Sequence, residues 1–364
     1  MRALGPEWRQ LTAEANLEHP FLTHEWACTW WECFGGDKQL YLVTVRQGDK
    51  LVALAPMMIS LLPVYGLKLR QLALIHNEHT PRLDLLVADG YDMAQDVIFA
   101  HLFGEAPTWD VLRLCQIPER SPTLQRVIGH ARQAGCLAGM WLSSVSPYLT
   151  IGGDWNDYCA GLRKSHRQNM QRRWKRLSEK GLVRMETTHN GGTSLQAALD
   201  DALHLEAAGW KGKAGTAIDC RPDVRRFYRQ LAGVAADRGW LRLNFLTVNG
   251  QRIACQYLLE FRHRLFLLKP GYDPAYAVYS PGTLLANMAI QEAFESGIRE
   301  WDFLGDDEPA KREWTKEARR HYWVFLFRKR LRPAAVYFVK FRLLPWLKKG
   351  RTSGQAAESA KTVA

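Results

Sequence analysis

No apolar run in this chain is long enough to cross a bilayer. The longest, residues 51–62, is interrupted by Pro56, whereas a membrane helix needs about twenty consecutive apolar residues. The opening residues MRALGPE contain no apolar signal core. Cysteine is sparse: there are 7, an odd number, and no pair has C-x-x-C spacing. Cys28 and Cys33 stand too far apart for that motif. The 11 histidines are scattered, so no metal cluster is expected. No Ser/His/Asp or Cys/His nucleophile motif is visible either. These absences exclude a membrane-spanning chain, a disulfide-stapled one and a zinc module, and they predict reduced thiols in a cytoplasmic protein.

What is present describes a globular protein. The 364 residues are 47% hydrophobic and 24% charged, enough for a large core and for two domains. The formal charge of +12 is unevenly placed. Residues 311–349 hold 13 Lys/Arg against Glu313 and Glu317. Residues 163–180 hold 8 Lys/Arg against Glu179 alone. A single basic run is usually a solvated helix face. Two separate runs point to an anionic partner: coenzyme A, an acyl carrier protein, a tRNA or anionic lipid.

In chain order, residues 24–34 read as a helix ended by Gly35-Gly36, with Trp26, Trp30 and Phe34 on one core-facing stripe. Residues 40–45 and 51–59 form a predicted hairpin, and residues 70–73 a strand leading into a polar loop that ends at Asp84. A helix (96–104), a strand (111–115), a helix (121–135) and a strand (147–151) follow. A long basic helix is then expected from Asp154 through Lys180. The helix over residues 194–208 puts Glu206 on its core stripe, where an unpaired carboxylate is costly. Glu206 should therefore pair with a base or face a cleft. Gly209-Trp210-Lys211-Gly212-Lys213 opens a Gly-rich basic loop that lacks phosphate-loop spacing. A helix (223–239) and a hairpin (241–247 with 252–261) about Asn249-Gly250 complete this part.

The two halves echo one another, since helix plus hairpin over 25–59 matches helix plus hairpin over 223–261. The prediction is a mixed α/β (α+β) chain of tandem modules, with mixed central sheets flanked by helices. The first module spans residues 1–152. The second spans 153–333 and begins with the basic helix (154–180) as a bridge. The remainder, 334–364, is an aromatic, basic helix that docks on the body or lies on a membrane surface, followed by a disordered Ser/Ala/Gly-rich tail.

Residues 265–314 carry the chemistry. Leu265 to Leu268 is a short strand, broken by Lys269-Pro270-Gly271. Ser280 is placed as the N-cap of the next helix, with Pro281 at its first position. Ala286, Ala289, Ile290, Ala293 and Phe294 give that helix one buried face, and Gly297 ends it. Asp302 then lies within a strand, between Trp301 and Phe303. A helix N-terminus presents free N–H groups, so the stretch Tyr279, Ser280, Gly282 and Thr283 is a candidate pyrophosphate cradle. An ordinary βαβ unit without ligand explains the same pattern.

Gly271-Tyr272-Asp273, Tyr279-Ser280-Pro281-Gly282, Asp302-Phe303-Leu304-Gly305-Asp306 and Lys311-x-x-Trp314 resemble the C-terminal signature of one acyltransferase family. It is the GNAT-type group called CelD-like, related to the FemAB peptidyltransferases. Ala310 stands where relatives usually place a Tyr before the Lys. The resemblance extends to Glu25-Trp26, to the loop before Asp84 and to the basic helix around Ser165. It implies tandem GNAT-like modules and an acyl group moved by direct transfer from acyl-CoA or acyl carrier protein to a small-molecule amine. No tightly bound cofactor is implied. A FemAB-like transferase using aminoacyl-tRNA, and an inactive scaffold in polysaccharide or lipid assembly, are the alternatives. Asp302, Lys311 and Asp84 are the catalytic candidates, with an Asp302–Lys311 salt bridge as the plainer reading of the first two. Glu25, Lys164, Arg167, Glu206, Trp210, Lys269 and Trp314 are the substrate-contact candidates. Capping roles would equally explain Glu25 and Asp84.

Overall fold

Hydrophobic period sets the elements of this chain, and glycine and proline punctuate them. A computed structural model of the protein describes residues 1–189, 193–208, 218 and 221–344. Trp210, its Gly-rich loop and the Ser/Ala/Gly-rich tail lie outside the described residues.

The chain opens with helices α1 (Gly5–Glu14) and α2 (His24–Phe34). The strands β1 (Gln39–Gln47), β2 (Lys50–Val64), β3 (Leu67–Leu74) and β4 (Leu86–Val87) follow. Next come α3 (Ala94–Gly104), β5 (Val111–Pro118), α4 (Pro122–Gln133) and β6 (Leu137–Thr150). Helices α5 (Trp155–Gly161) and α6 (Lys164–Ser178) lead to β7 (Val183–Thr188), α7 (Thr193–Ala208) and α8 (Pro222–Asp237). The meander β8 (Leu241–Val248), β9 (Gln251–Phe261) and β10 (Arg264–Tyr272) precedes α9 (Pro281–Glu295). The short β11 (Glu300–Asp302) and α10 (Pro309–Arg312) are followed by β12 (Ala318–Phe327) and α11 (Leu331–Phe338).

These elements form two units whose boundary is not the expected one at residue 152. The larger unit takes residues 1–36, 78–81 and 144–321, and the smaller takes 37–77, 82–143 and 322–364. The long strands β6 and β12 each contain a unit boundary, so the chain changes unit inside a strand and not at Gly152-Gly153.

Within the larger unit the strand order is β6-β11-β10-β9-β8-β7. All neighbours are antiparallel except β10 and β11. Helix α9 packs on β8, β9 and β10, and α7 on β9 and β10. On α9 the residues Leu284, Leu285, Ala286, Ala289, Ile290 and Ala293 are buried, as the period required. Each fully buried Leu or Ile there contributes roughly 1.5–3 kcal/mol. In the smaller unit, β1 pairs antiparallel with β2, β2 antiparallel with β3, and β3 parallel with β5. That is the topology of β8-β9-β10-β11, with α3 in the place of α9, so the duplication extends to the connectivity.

Two expectations change, and the C-terminal helix takes one of its two expected placements. The basic helix is broken at Leu162 and Arg163, both with extended backbone. Asp154 caps α5 by accepting from Asn156 N at 2.7 Å, and the extended step lets Leu162 pack on the Trp301 cluster. Strand β10 runs through Pro270 to Tyr272 instead of ending at Leu268. Its register against β9 shifts between Leu267 and Lys269, the kind of irregularity at which a strand tolerates proline. The C-terminal helix docks within its own unit, placing Phe341 and Tyr337 against Phe327. The ring of Phe341 lies 2.3 Å from where a Cβ on Gly139 would be, so only glycine permits that approach. None of the described helices is long and apolar enough to cross a membrane.

Candidate active site

Strand β10 changes character along its length. It pairs with β9 from Arg264 to Tyr272, but with β11 only from Arg264 to Phe266. From Leu267 onward its β11-facing edge has no strand partner among the described residues. Burial follows: Leu265 and Phe266 are fully buried, Leu267 to Lys269 half-buried, and Pro270 exposed. A strand edge that ends its pairing in this way is a place where an extended ligand can lie alongside the sheet. The smaller unit lacks the feature, because β3 ends one residue beyond its pairing with β5.

The edge runs into the N-terminus of α9. Asp273 accepts from Ala275 N at 2.9 Å and starts a 3-10 turn over Pro274–Tyr279. Ser280 follows in the left-handed region, φ 49° and ψ 58°. It is the N-cap residue, as expected, but its side chain makes no cap bond; its carbonyl accepts from Thr283 N at 3.0 Å and Leu284 N at 3.2 Å. A non-glycine residue in this region costs of order 1–3 kcal/mol. Nothing lies within 4 Å of where a Cβ on Gly282 would stand, so the first turn is open. Arg176 of α6 places its guanidinium 5.5 Å over the Tyr279 ring, bringing the basic helix to this end of α9. Tyr276, Tyr279 and Lys180 contribute to a cavity of about 460 Å³ beside it.

Asp302 and Lys311 are separately engaged. Asp302 is fully buried; its Oδ1 accepts from Leu304 N at 2.9 Å and its Oδ2 faces Arg319 Nη1 at 3.2 Å. The ammonium of Lys311 donates to Leu304 O and Asp306 O, both at 2.9 Å, and lies 3.3 Å from Glu308 Oε1. The expected Asp302–Lys311 salt bridge is thus replaced by an Asp302–Arg319 pair and a lysine that clamps its own loop. Burial opposes the charge of Arg319, but Asp302 and Glu300 outweigh it and hold its pKa above the usual value. Trp314 is buried with its ring edge-on to His166, centroids 4.8 Å apart. Its carbonyl accepts from the Tyr158 hydroxyl at 2.7 Å, and His166 Nδ1 lies 2.8 Å from Glu313.

Lys269, on the open part of β10, stands with its ammonium 5.4 Å from the Tyr228 ring centroid. The same tyrosine meets His79 edge-on, and its hydroxyl lies 3.4 Å from His79 Nδ1. The imidazole packs against both Phe34 and Phe227, which also meet each other with ring centroids 5.2 Å apart. Burial, then the nearby Lys269 charge, lower the His79 pKa to about 4 against the pull of Glu78, so the ring is neutral at pH 7. Burial also drives the Tyr228 phenol upward. Behind Lys269, Gly271 touches α7: a Cβ there would stand 2.5 Å from Glu206 N and 2.6 Å from its Cα. Glu206 is buried, and its Oε2 accepts from Ile218 N at 2.9 Å.

Other candidates lie elsewhere. Glu25, 8% exposed, is held by Arg9 Nε at 2.7 Å and Arg238 Nη2 at 2.6 Å. Asp84 belongs to the smaller unit, where its Oδ1 accepts from Leu85 N at 2.8 Å and from the Thr123 hydroxyl at 2.6 Å, a turn and capping role. Lys164 is exposed at the start of α6, and Arg167 lines a groove between α6 and α9. The structure therefore gathers Lys269 with His79 and Tyr228, and gathers Asp302, Lys311 and Trp314 in one loop. Sequence reasoning missed His79, Tyr228 and Arg319. A histidine within the polar Asn77-Glu78-His79-Thr80 loop was the one signal for the first.

Residues 164–312 match the family model of the acetyltransferase (GNAT) domain. No functionally curated protein matches the chain. Among solved structures, that of FemX superposes with a TM-score of 0.59 at 9% identity, covering 91% of this chain and 98% of that one. The C-terminal domain of a putative lysylphosphatidylglycerol synthetase from Agrobacterium fabrum gives 0.53 at 12% identity, covering 98% of each chain. L-PGS from Bacillus licheniformis gives 0.53 at 10% identity, covering 91% of this chain and 95% of that one. At such identities the likeness concerns the fold alone.

Proposed function

On the GNAT-superfamily, FemAB-related fold that this chain carries, we propose an acyltransferase that moves an acyl group from a phosphopantetheine thioester to an amine. The observation that carries the reading is the open edge of β10 running into the uncapped first turn of α9. A pantetheine arm has two amides, which complement the edge of a strand that has no further strand beside it among the described residues. A pyrophosphate suits the Gly282 N–H and the positive dipole end of a helix, with Gly282 leaving room and Arg176 adding charge. Acyl-CoA and acyl carrier protein present the same arm.

Transfer is direct. The amine nitrogen attacks the thioester carbon, the C–S bond breaks, and the thiolate leaves to take up the proton the amine has shed. Backbone N–H groups on the open edge stabilise the oxyanion. His79, neutral at pH 7 and grouped with Lys269, is the base that first receives the proton. Asp302 and Lys311 act by shaping the 302–314 loop.

Calorimetric titration with coenzyme A and decanoyl-CoA tests the proposal. Gly282→Asp puts a carboxylate where a helix end favours one but a phosphate does not. Binding to the wild type and a loss of about tenfold or more in the variant are expected, from at least 1.4 kcal/mol of repulsion. Absence of binding, or equal binding to both proteins, overturns the reading. The basic run of α6 favours one alternative, an aminoacyl-tRNA donor. Tight tRNA binding that falls steeply with salt, without coenzyme A binding, would establish it.

A further inference from the structure

A groove of about 420 Å³ lies between α5, α6 and α9, a volume suited to a small ligand. Its walls are apolar: Trp155 from α5, Met170 and Trp174 from α6, and Met288 from α9. Trp174 is 38% exposed, a large aromatic face left open to solvent. Four polar side chains interrupt the apolar lining, Arg167, Gln171, Asn287 and Gln291; Arg167 is the one charged group, and no Asp or Glu lines the groove. The Nε of Arg167 and the Oδ1 of Asn287 are both buried and make no hydrogen bond. Leaving a buried donor and a buried acceptor unsatisfied costs about 1–3 kcal/mol each.

The occupant that answers all of these features carries three parts. An anion meets the guanidinium, for which no acidic residue in the groove competes. A secondary amide, with one donor and one acceptor, complements the Asn287 side chain in either orientation of its amide. An aliphatic chain covers the tryptophans and methionines. We infer that the groove binds an N-acyl amino acid, its carboxylate on Arg167, its amide against Asn287 and its acyl chain along Trp155, Trp174 and Met288. This rests on the groove alone and is independent of where the acyl donor sits.

The test is a tryptophan-fluorescence titration of the full chain with three probes: N-decanoylglycine, its methyl ester and decanoic acid. N-decanoylglycine should bind tightest. The ester should bind about tenfold more weakly and decanoic acid about threefold or more, as expected for a lost charged and a lost neutral hydrogen bond. Arg167→Gln should abolish the preference for acid over ester, and Asn287→Leu the preference for amide over decanoic acid. Met288→Trp should fill the groove and weaken all three, with circular dichroism confirming that each variant is folded. Equal affinities for the three probes, or an unchanged acid-to-ester ratio in Arg167→Gln, would overturn the inference. Coenzyme A titrated alongside keeps the two readings apart: its failure to bind counts against the donor site and leaves the groove standing.

Discussion

Arg319 faces Asp302 across 3.2 Å while its guanidinium lies 3.6 Å above the Tyr148 ring. Arg319 also reaches Glu300, which Arg264 contacts at 2.9 Å, so two strand carboxylates and two arginines form one half-buried network. A carboxylate spent in this way holds strand β11 to the start of β12. Breaking a buried pair leaves an uncompensated charge and costs about 3–5 kcal/mol. Asp302→Ala should therefore lower the urea-unfolding free energy by roughly that amount, and Asp302→Asn by less. Coenzyme A affinity, measured where the variants remain folded, should change little. A variant of unaltered stability that had lost all transfer activity would return Asp302 to the role of base.

Glycines 271 and 282 lie close in sequence and predict opposite outcomes. At Gly271 a methyl group would meet the backbone of Glu206 at 2.5 Å, and backbone atoms of a packed helix cannot yield as a flexible side chain can. Gly271→Ala should cost at least 1–3 kcal/mol, the usual range for overpacking, and separate α7 from β10. At Gly282 the space is empty, so Gly282→Ala should change stability by less than about 1 kcal/mol, in the favourable direction set by helix propensity. It should nonetheless weaken coenzyme A binding if phosphate approaches the backbone there. Thermal melts and calorimetry on the pair separate packing from binding.

Much of this architecture was legible in the sequence, and the exceptions share a cause. Ala286, Ala289, Ile290 and Ala293 announce a buried helix face because period is a local property. Pro270 reads locally as a strand breaker. It is accommodated because β10 shifts register at that point and keeps β9 as its partner, which is a long-range fact. Asp302 invited pairing with Lys311, the nearest lysine in sequence. The fold supplies Arg319 from the basic run over 311–349, whose charge in the sequence points to an anionic partner. Glu25 sits off the apolar stripe of its helix, yet it is buried, because Arg9 and Arg238 come from two other segments. Pairing partners remote in sequence decided each of these positions.

His79 gives the pH dependence a defined sign. Its folded pKa, about 4, lies below the ordinary value of 6.5. Its contribution to stability is therefore fully present above about pH 6.5 and is lost as the pH falls through the folded value. The difference corresponds to about 3 kcal/mol, at 1.36 kcal/mol per unit. Urea midpoints should drop between pH 7 and pH 4, and His79→Gln should flatten that part of the curve. An identical acid limb in the variant would mean that the imidazole titrates near its ordinary value, which would weaken its assignment as a neutral base.

Lys311 has the last test. Its ammonium donates to two carbonyls of the loop it closes, those of Leu304 and Asp306, and Leu304 is itself held in the left-handed region at φ 52°. Leucine does not adopt that conformation without support, so removing the clamp should free the loop before it unfolds the unit. In Lys311→Met, amide hydrogen exchange at residues 304–308 should accelerate selectively, with a global loss of only about 1–3 kcal/mol from the two carbonyls left without a donor. Lys311→Arg should rescue little, because a planar guanidinium cannot direct donors at two converging carbonyls as a compact ammonium does. Unchanged exchange in the loop together with lost turnover would show instead that the ammonium works on substrate.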